Sequence, residues 1–144
     1  MKESMFWMPG DENGPITDDA GSETLAEFWE WRNDYENTPV KEFLFEFFEV
    51  YGISGARVLA FSSADPNLCV GELHSDANTY DDLVLATAFG QFMKEGCIDS
   101  EIHRLALNSA QRQIAPIVLN FRCANPDERL IGLGKTIQAL KKCA

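Results

Sequence analysis

A chain of 144 residues with 45% apolar and 24% charged side chains has the size and composition of one globular domain. It is long enough to bury a core without metal or disulfide staples, which excludes wholesale disorder. No apolar run approaches the 18 or so residues that a membrane span needs, so no membrane partner is expected. The Met5-Phe6-Trp7-Met8 cluster is too short for a signal peptide and runs into Asp11-Glu12, so the expected compartment is the cytoplasm.

The net charge of −11 is unevenly spread. Residues 1–50 carry 13 acids against 3 bases, whereas residues 101–144 carry 3 acids against 7 bases. An acidic surface repels phosphate backbones and attracts basic ones, so direct nucleic-acid binding is not expected and a basic protein partner is. A solvated acidic face that serves solubility is the plain alternative.

Taken in chain order, residues 1–22 mix Pro, Gly, Asp and Ser without periodicity and predict a flexible acidic arm. The domain proper is expected over 23–144. Leu25, Phe28, Trp29 and Arg32 recur at helical spacing and predict a first helix near 23–34. Thr38 as N-cap and Pro39 at the first position open a second helix. Its stripe is Val40, Phe43, Leu44, Phe47, Phe48 and Tyr51, and Gly52 is its C-cap.

Residues 56–73 read as a hairpin, with Arg57–Ser62 and Leu68–Leu73 as strands about the Asp65-Pro66-Asn67 turn. Thr79 and Asp82 form a capping pair for a helix over about 80–95 that ends at Gly96 and is apolar nearly all round. A further helix runs from Asp99 or Ser100 to about Gln113, where Pro116 stops it. Alternation of Ile117, Leu119, Phe121 and Cys123 predicts a half-buried strand. Asn125-Pro126 opens a last helix with Leu130, Leu133, Ile137 and Leu140 as its stripe. The expected class is therefore α+β, in the order α-α-β-β-α-α-β-α, with a small sheet of about three strands covered by helices.

Three strings invite a functional reading. Gly132-Leu133-Gly134-Lys135-Thr136 resembles the end of a phosphate loop, but Arg129 stands where the first glycine belongs and Pro126 has already begun a helix. It is rejected. Cys69, His74, Cys97 and His103 have no ligand-like spacing, and without a CxxC the four cysteines read as reduced, buried thiols, so no metal or cofactor is expected. Glu72, His74 and Asp76 would share one side of a strand end and could do acid–base work, alone or with a cysteine. A solvated hairpin end is the plainer account.

The acidic, aromatic first helix carries the favoured reading. Glu23, Glu27, Trp29, Glu30, Trp31, Asp34 and Tyr35 form the expected binding face. Trp29 and Trp31 cannot both sit on one narrow helical face, so one is exposed beside carboxylates, which suits capture of a basic surface. The expected function is a non-enzymatic binding protein of inhibitor, immunity, antitoxin or chaperone type. A small enzyme built on His74, or a homo-oligomer joining its acidic N-terminal half to a basic C-terminal region, are the alternatives.

Overall fold

A computed structural model describes residues 19–63, 65–122 and 125–142. The described residues form seven α-helices and two short 3-10 turns, with no strand. The helices are α1 (Asp19–Asp34), α2 (Val40–Val50), α3 (Gly55–Phe61), α4 (His74–Glu95), α5 (Ser100–Gln113), α6 (Pro116–Arg122) and α7 (Pro126–Lys142). The expected α+β class and its three-strand sheet are thus overturned. Of the expected arm, residues 1–18 lie outside the described residues, while Asp19–Ser22 belong to the first turn of α1.

Both errors of class came from short apolar runs, where periodicity over six or seven residues does not separate strand from helix. In the first run, Ser54 takes an extended conformation and its side chain accepts a hydrogen bond from the Arg57 N–H, capping α3. Only Phe61 of that helix is buried. Asp65 likewise caps the Pro66–Cys69 turn by accepting from the Asn67 N–H. In the second run α5 ends at Gln113 as expected, but Pro116 then opens a helix, α6, and the Ala115 carbonyl accepts from Val118 and Leu119. The buried residues are the adjacent Val118 and Leu119, while Ile117 and Phe121 face outward. That is a helical pattern, and it leaves the apparent alternation without a buried face.

α4 is the axis of the fold. Nearly every side chain from Tyr80 to Gln91 is buried, and α1, α2 and α5 pack around it, with α7 packed outside on α5. An all-round apolar helix belongs in such a position. The helix opens at His74 rather than near residue 80, which puts the expected Thr79–Asp82 capping pair inside it. It ends as expected at Gly96, whose positive φ of 78° permits the left-handed turn. α1 approaches α4 closely at Gly90, where an added Cβ would stand 3.0 Å from Leu25 Cδ1 and 3.1 Å from Phe28 Cδ2.

α2 buries Val40, Phe43, Leu44 and Phe48 as its stripe requires. At its end Ile53 N–H donates to Phe48 O at 2.9 Å and Gly52 N–H to Glu49 O at 3.0 Å, so glycine closes the helix in the paired manner of a Schellman motif. Its start differs from expectation. Thr38 makes no cap, and the Val40 N–H donates instead to Asp99 Oδ2, 2.9 Å away at the head of α5. In α7 the expected stripe is shifted: Leu133 and Leu140 are buried but Leu130 is exposed. No helix among the described residues is long and apolar enough to cross a membrane.

Candidate functional site: an acidic, aromatic groove

From Glu23 onward the acids of α1 fall at i, i+4, i+7 and i+11. Glu23, Glu27, Glu30 and Asp34 therefore form one exposed row along the helix. α2 lies beside this row, and the two helices leave between them a groove of about 330 Å³. Glu27, Glu30, Asp34 and Glu46 form its polar wall, and Trp31, Tyr35, Phe43, Phe47 and Val50 form its apolar lining. Among the described residues none of those four carboxylates has a cation within salt-bridge distance.

The floor is a continuous aromatic run. Ring centroids are 5.4 Å apart for Trp31 and Tyr35, 5.5 Å for Trp31 and Phe43, 5.2 Å for Phe43 and Phe47, and 5.3 Å for Phe47 and Tyr51. At the far end the Tyr51 hydroxyl donates to the Glu23 carboxylate and ties the two helices together. Trp31 and Phe47 are half-buried, and Tyr35 and Val50 are exposed. The apolar lining is thus held from beneath by the core and open from above.

A polar corner sets the angle between the groove helices. Arg32, buried on α1, forms an ion pair with Glu95 in the last turn of α4. Its Nη1 also donates to the carbonyls of Tyr35 and Thr38, at 3.1 and 2.6 Å, and so fixes the α1–α2 loop. Gln91 Nε2 donates to Glu95 at 3.0 Å and to Asp99 at 2.9 Å, and Asp99 in turn accepts from Val40 at the start of α2. The Arg32 hydrogen bond holds the Glu95 carboxyl below its ordinary range, and the same contact raises Arg32.

Six of the seven residues expected at a binding face lie along this side. Trp29 is the exception. It is 40% exposed but turns toward α4, where its indole Nε1 donates to Gly90 O at 3.1 Å and Lys94 lies over its ring. Phe43, Glu46, Phe47 and Val50 of α2 were missed as site residues. Their spacing of three and four was visible in the sequence, but Phe43 and Phe47 read as core, and nothing indicated that α1 would leave their edge uncovered.

The acid–base candidates are not brought together. Residues two apart on a helix point to different sides, and His74 and Asp76 both stand in the first turn of α4. The exposed His74 donates through Nδ1 to Gly71 O at 2.8 Å and meets the Phe121 ring edge-on, whereas Asp76 pairs with Arg57. Glu72 falls in the preceding 3-10 turn, and its side chain lies outside the described residues.

Of the set considered for zinc, Cys97 is exposed rather than buried and His103 Nε2 donates to the Leu140 carbonyl. The Cys69 side chain lies outside the described residues, as do Cys123 and Cys143. Among the described residues no three His, Cys, Asp or Glu side chains are grouped to hold a metal. The glycine-rich string lies within α7, where Thr136 Oγ1 donates to the Gly132 carbonyl at 3.0 Å. Comparison with protein-family models, curated proteins and solved structures finds no match to this chain.

Proposed function

We propose that this chain is a non-enzymatic binding protein whose α1–α2 groove captures a basic, apolar-faced helix of a protein partner. The observation that carries the proposal is the juxtaposition of an open aromatic floor with four carboxylates that have no cationic partner among the described residues. Magnitudes select the kind of partner. An exposed lysine–carboxylate pair contributes about 0.2–1 kcal/mol, so four such pairs give little specific affinity. The apolar lining must contribute comparably, at about 25 cal/mol per Å² removed from water.

A purely polybasic segment would use the wall and leave the floor wet. An amphipathic helix with lysine or arginine on one side and leucine-like residues on the other uses both. Such capture suits the inhibitor, immunity, antitoxin or chaperone classes and requires no catalytic group. The separation of His74 from Asp76's carboxylate, which pairs with Arg57, gives an acid–base reading no support.

The test is calorimetric titration with a synthetic amphipathic leucine–lysine helix. Glu27→Lys combined with Trp31→Ala is expected to weaken binding at least tenfold. Glu49→Lys, a charge reversal on α2 outside the groove lining, is expected to change it less than twofold. Equal losses in both variants would reduce the interaction to net charge and remove the groove from it.

A further inference from the structure

The basic C-terminal region, residues 101–144, folds into a surface with the complementary pattern. On α7, Ile131, Lys135, Gln138 and Lys142 fall at i, i+4, i+7 and i+11, and all four are exposed. Lys141 borders the same row and is also exposed. Among the described residues none of these lysines has a carboxylate within salt-bridge distance. The acids of α7, Asp127 and Glu128, are confined to its first turn.

The charged positions that would meet match in spacing. Seven residues separate Lys135 from Lys142 and Glu27 from Asp34, a distance of about 10 Å on either helix at 1.5 Å per residue. An apolar pair stands at the N-terminal end of this row: Ile131 is 62% exposed and its neighbour Leu130 is 44% exposed. These are the two components that the groove requires. α7 packs on α5 and α6, whereas the groove is built from helices packed on α4.

We infer that the groove receives α7 of a second copy of this chain. This assignment rests on reading the groove as a docking site for a basic helix, and names its occupant. The lysines of one copy face the Glu27–Asp34 row of the other, and Ile131 and Leu130 meet the aromatic floor. The contact is head-to-tail, because a different surface is used on each copy. Mutual repulsion between chains of net charge −11 opposes it at long range. At 0.15 M salt the screening length is about 8 Å, so the short-range complementarity dominates.

The experiment is analytical sedimentation of the full chain at 0.15 M salt over rising concentration. Two reversed chains are compared with it: Glu30→Lys with Asp34→Lys, and Lys135→Glu with Lys142→Glu. The wild type is expected to sediment as more than a monomer at high concentration. Each reversed chain alone is expected to associate at least tenfold more weakly, and their equimolar mixture to regain association. The mixture separates specific complementarity from the change in overall charge.

A wild type that stays monomeric throughout overturns the inference, as does a mixture no stronger than its components. Titration of the Lys135→Glu, Lys142→Glu chain with the leucine–lysine peptide distinguishes the two levels of the argument. Peptide bound at the groove beside a monomeric wild type removes only the second copy as occupant. Peptide that does not bind removes the docking site itself.

Discussion

Arg32 on α1 and Glu95 on α4, 63 positions apart in sequence, form a two-pronged ion pair in which Nε and Nη2 each donate to one carboxylate oxygen. The remaining nitrogen of the guanidinium holds the carbonyls of Tyr35 and Thr38. One side chain thereby fixes the end of α1, the α1–α2 loop and the end of α4. The groove depends on the angle set there. Arg32→Ala is expected to lower stability by about 2–3 kcal/mol, the range for charged hydrogen bonds in a partly buried setting. Urea denaturation checks the loss, and peptide affinity is expected to fall with it.

The same pair sets an acid limit. Glu95 is held below its ordinary value of 4.5, first by its hydrogen bond from Arg32. A carboxyl with a depressed folded pKa binds protons more readily in the unfolded chain. Its stabilising contribution is therefore complete above the unfolded value and is lost as pH falls through the folded one. Urea midpoints measured from pH 7 down to pH 3 are expected to drop below about pH 4.5. Glu95→Gln is expected to be less stable at pH 7 but to show a shallower fall over that acid range.

Within the core, Asp81 accepts from Ser109 Oγ at 2.7 Å, from Arg122 Nη1 at 3.1 Å and from Arg112. Asp81→Asn leaves both arginines facing a neutral group and is expected to cost about 3–5 kcal/mol. Arg122→Met is expected to be far milder, within about 1 kcal/mol, because Asp81 keeps Arg112 and two Arg122 nitrogens with no partner among the described residues are removed. Thermal melts of the two variants check the contrast.

Gly90→Ala sets helix propensity against packing. Alanine favours a helix interior over glycine by about 1 kcal/mol, but its Cβ would press on Leu25 and Phe28 at 3.0 and 3.1 Å. Overpacking of that kind costs about 1–3 kcal/mol. The expected result is a net loss of up to about 2 kcal/mol, measured by denaturant unfolding, with α1 displaced and Trp29 fluorescence altered.

Much of the helical framework was legible because its signals are long or chemically specific. The α2 stripe spans three turns, Gly52 and Gly96 each take a positive φ, and Asn125 Oδ1 accepts from the Glu128 N–H at the head of α7. The class was not legible because α3 and α6 have seven residues each. At that length, burial of Phe61 or of Val118 with Leu119 is decided by what α4 and α5 offer, not by local pattern.

The acidic row on α1 was visible from its residue types and spacing. The groove was not, because Arg32 entered only as part of the first-helix pattern and Asp99 only as a helix opening, and nothing local joins them to Gln91 and Glu95 until the fold brings all four to one corner. Asp99 capping a helix 59 positions away is a tertiary contact, and no local rule replaces Thr38 by it.

Amide and indole NMR shifts recorded during titration with the leucine–lysine peptide test the groove most directly. The account predicts that the Trp31 indole and the amides of Glu27–Tyr35 and Phe43–Val50 move first. The Trp29 indole, hydrogen-bonded to the Gly90 carbonyl, is predicted to stay in place. Shifts centred on α3, α5 or α6 with Trp31 unmoved would contradict the groove as the binding site.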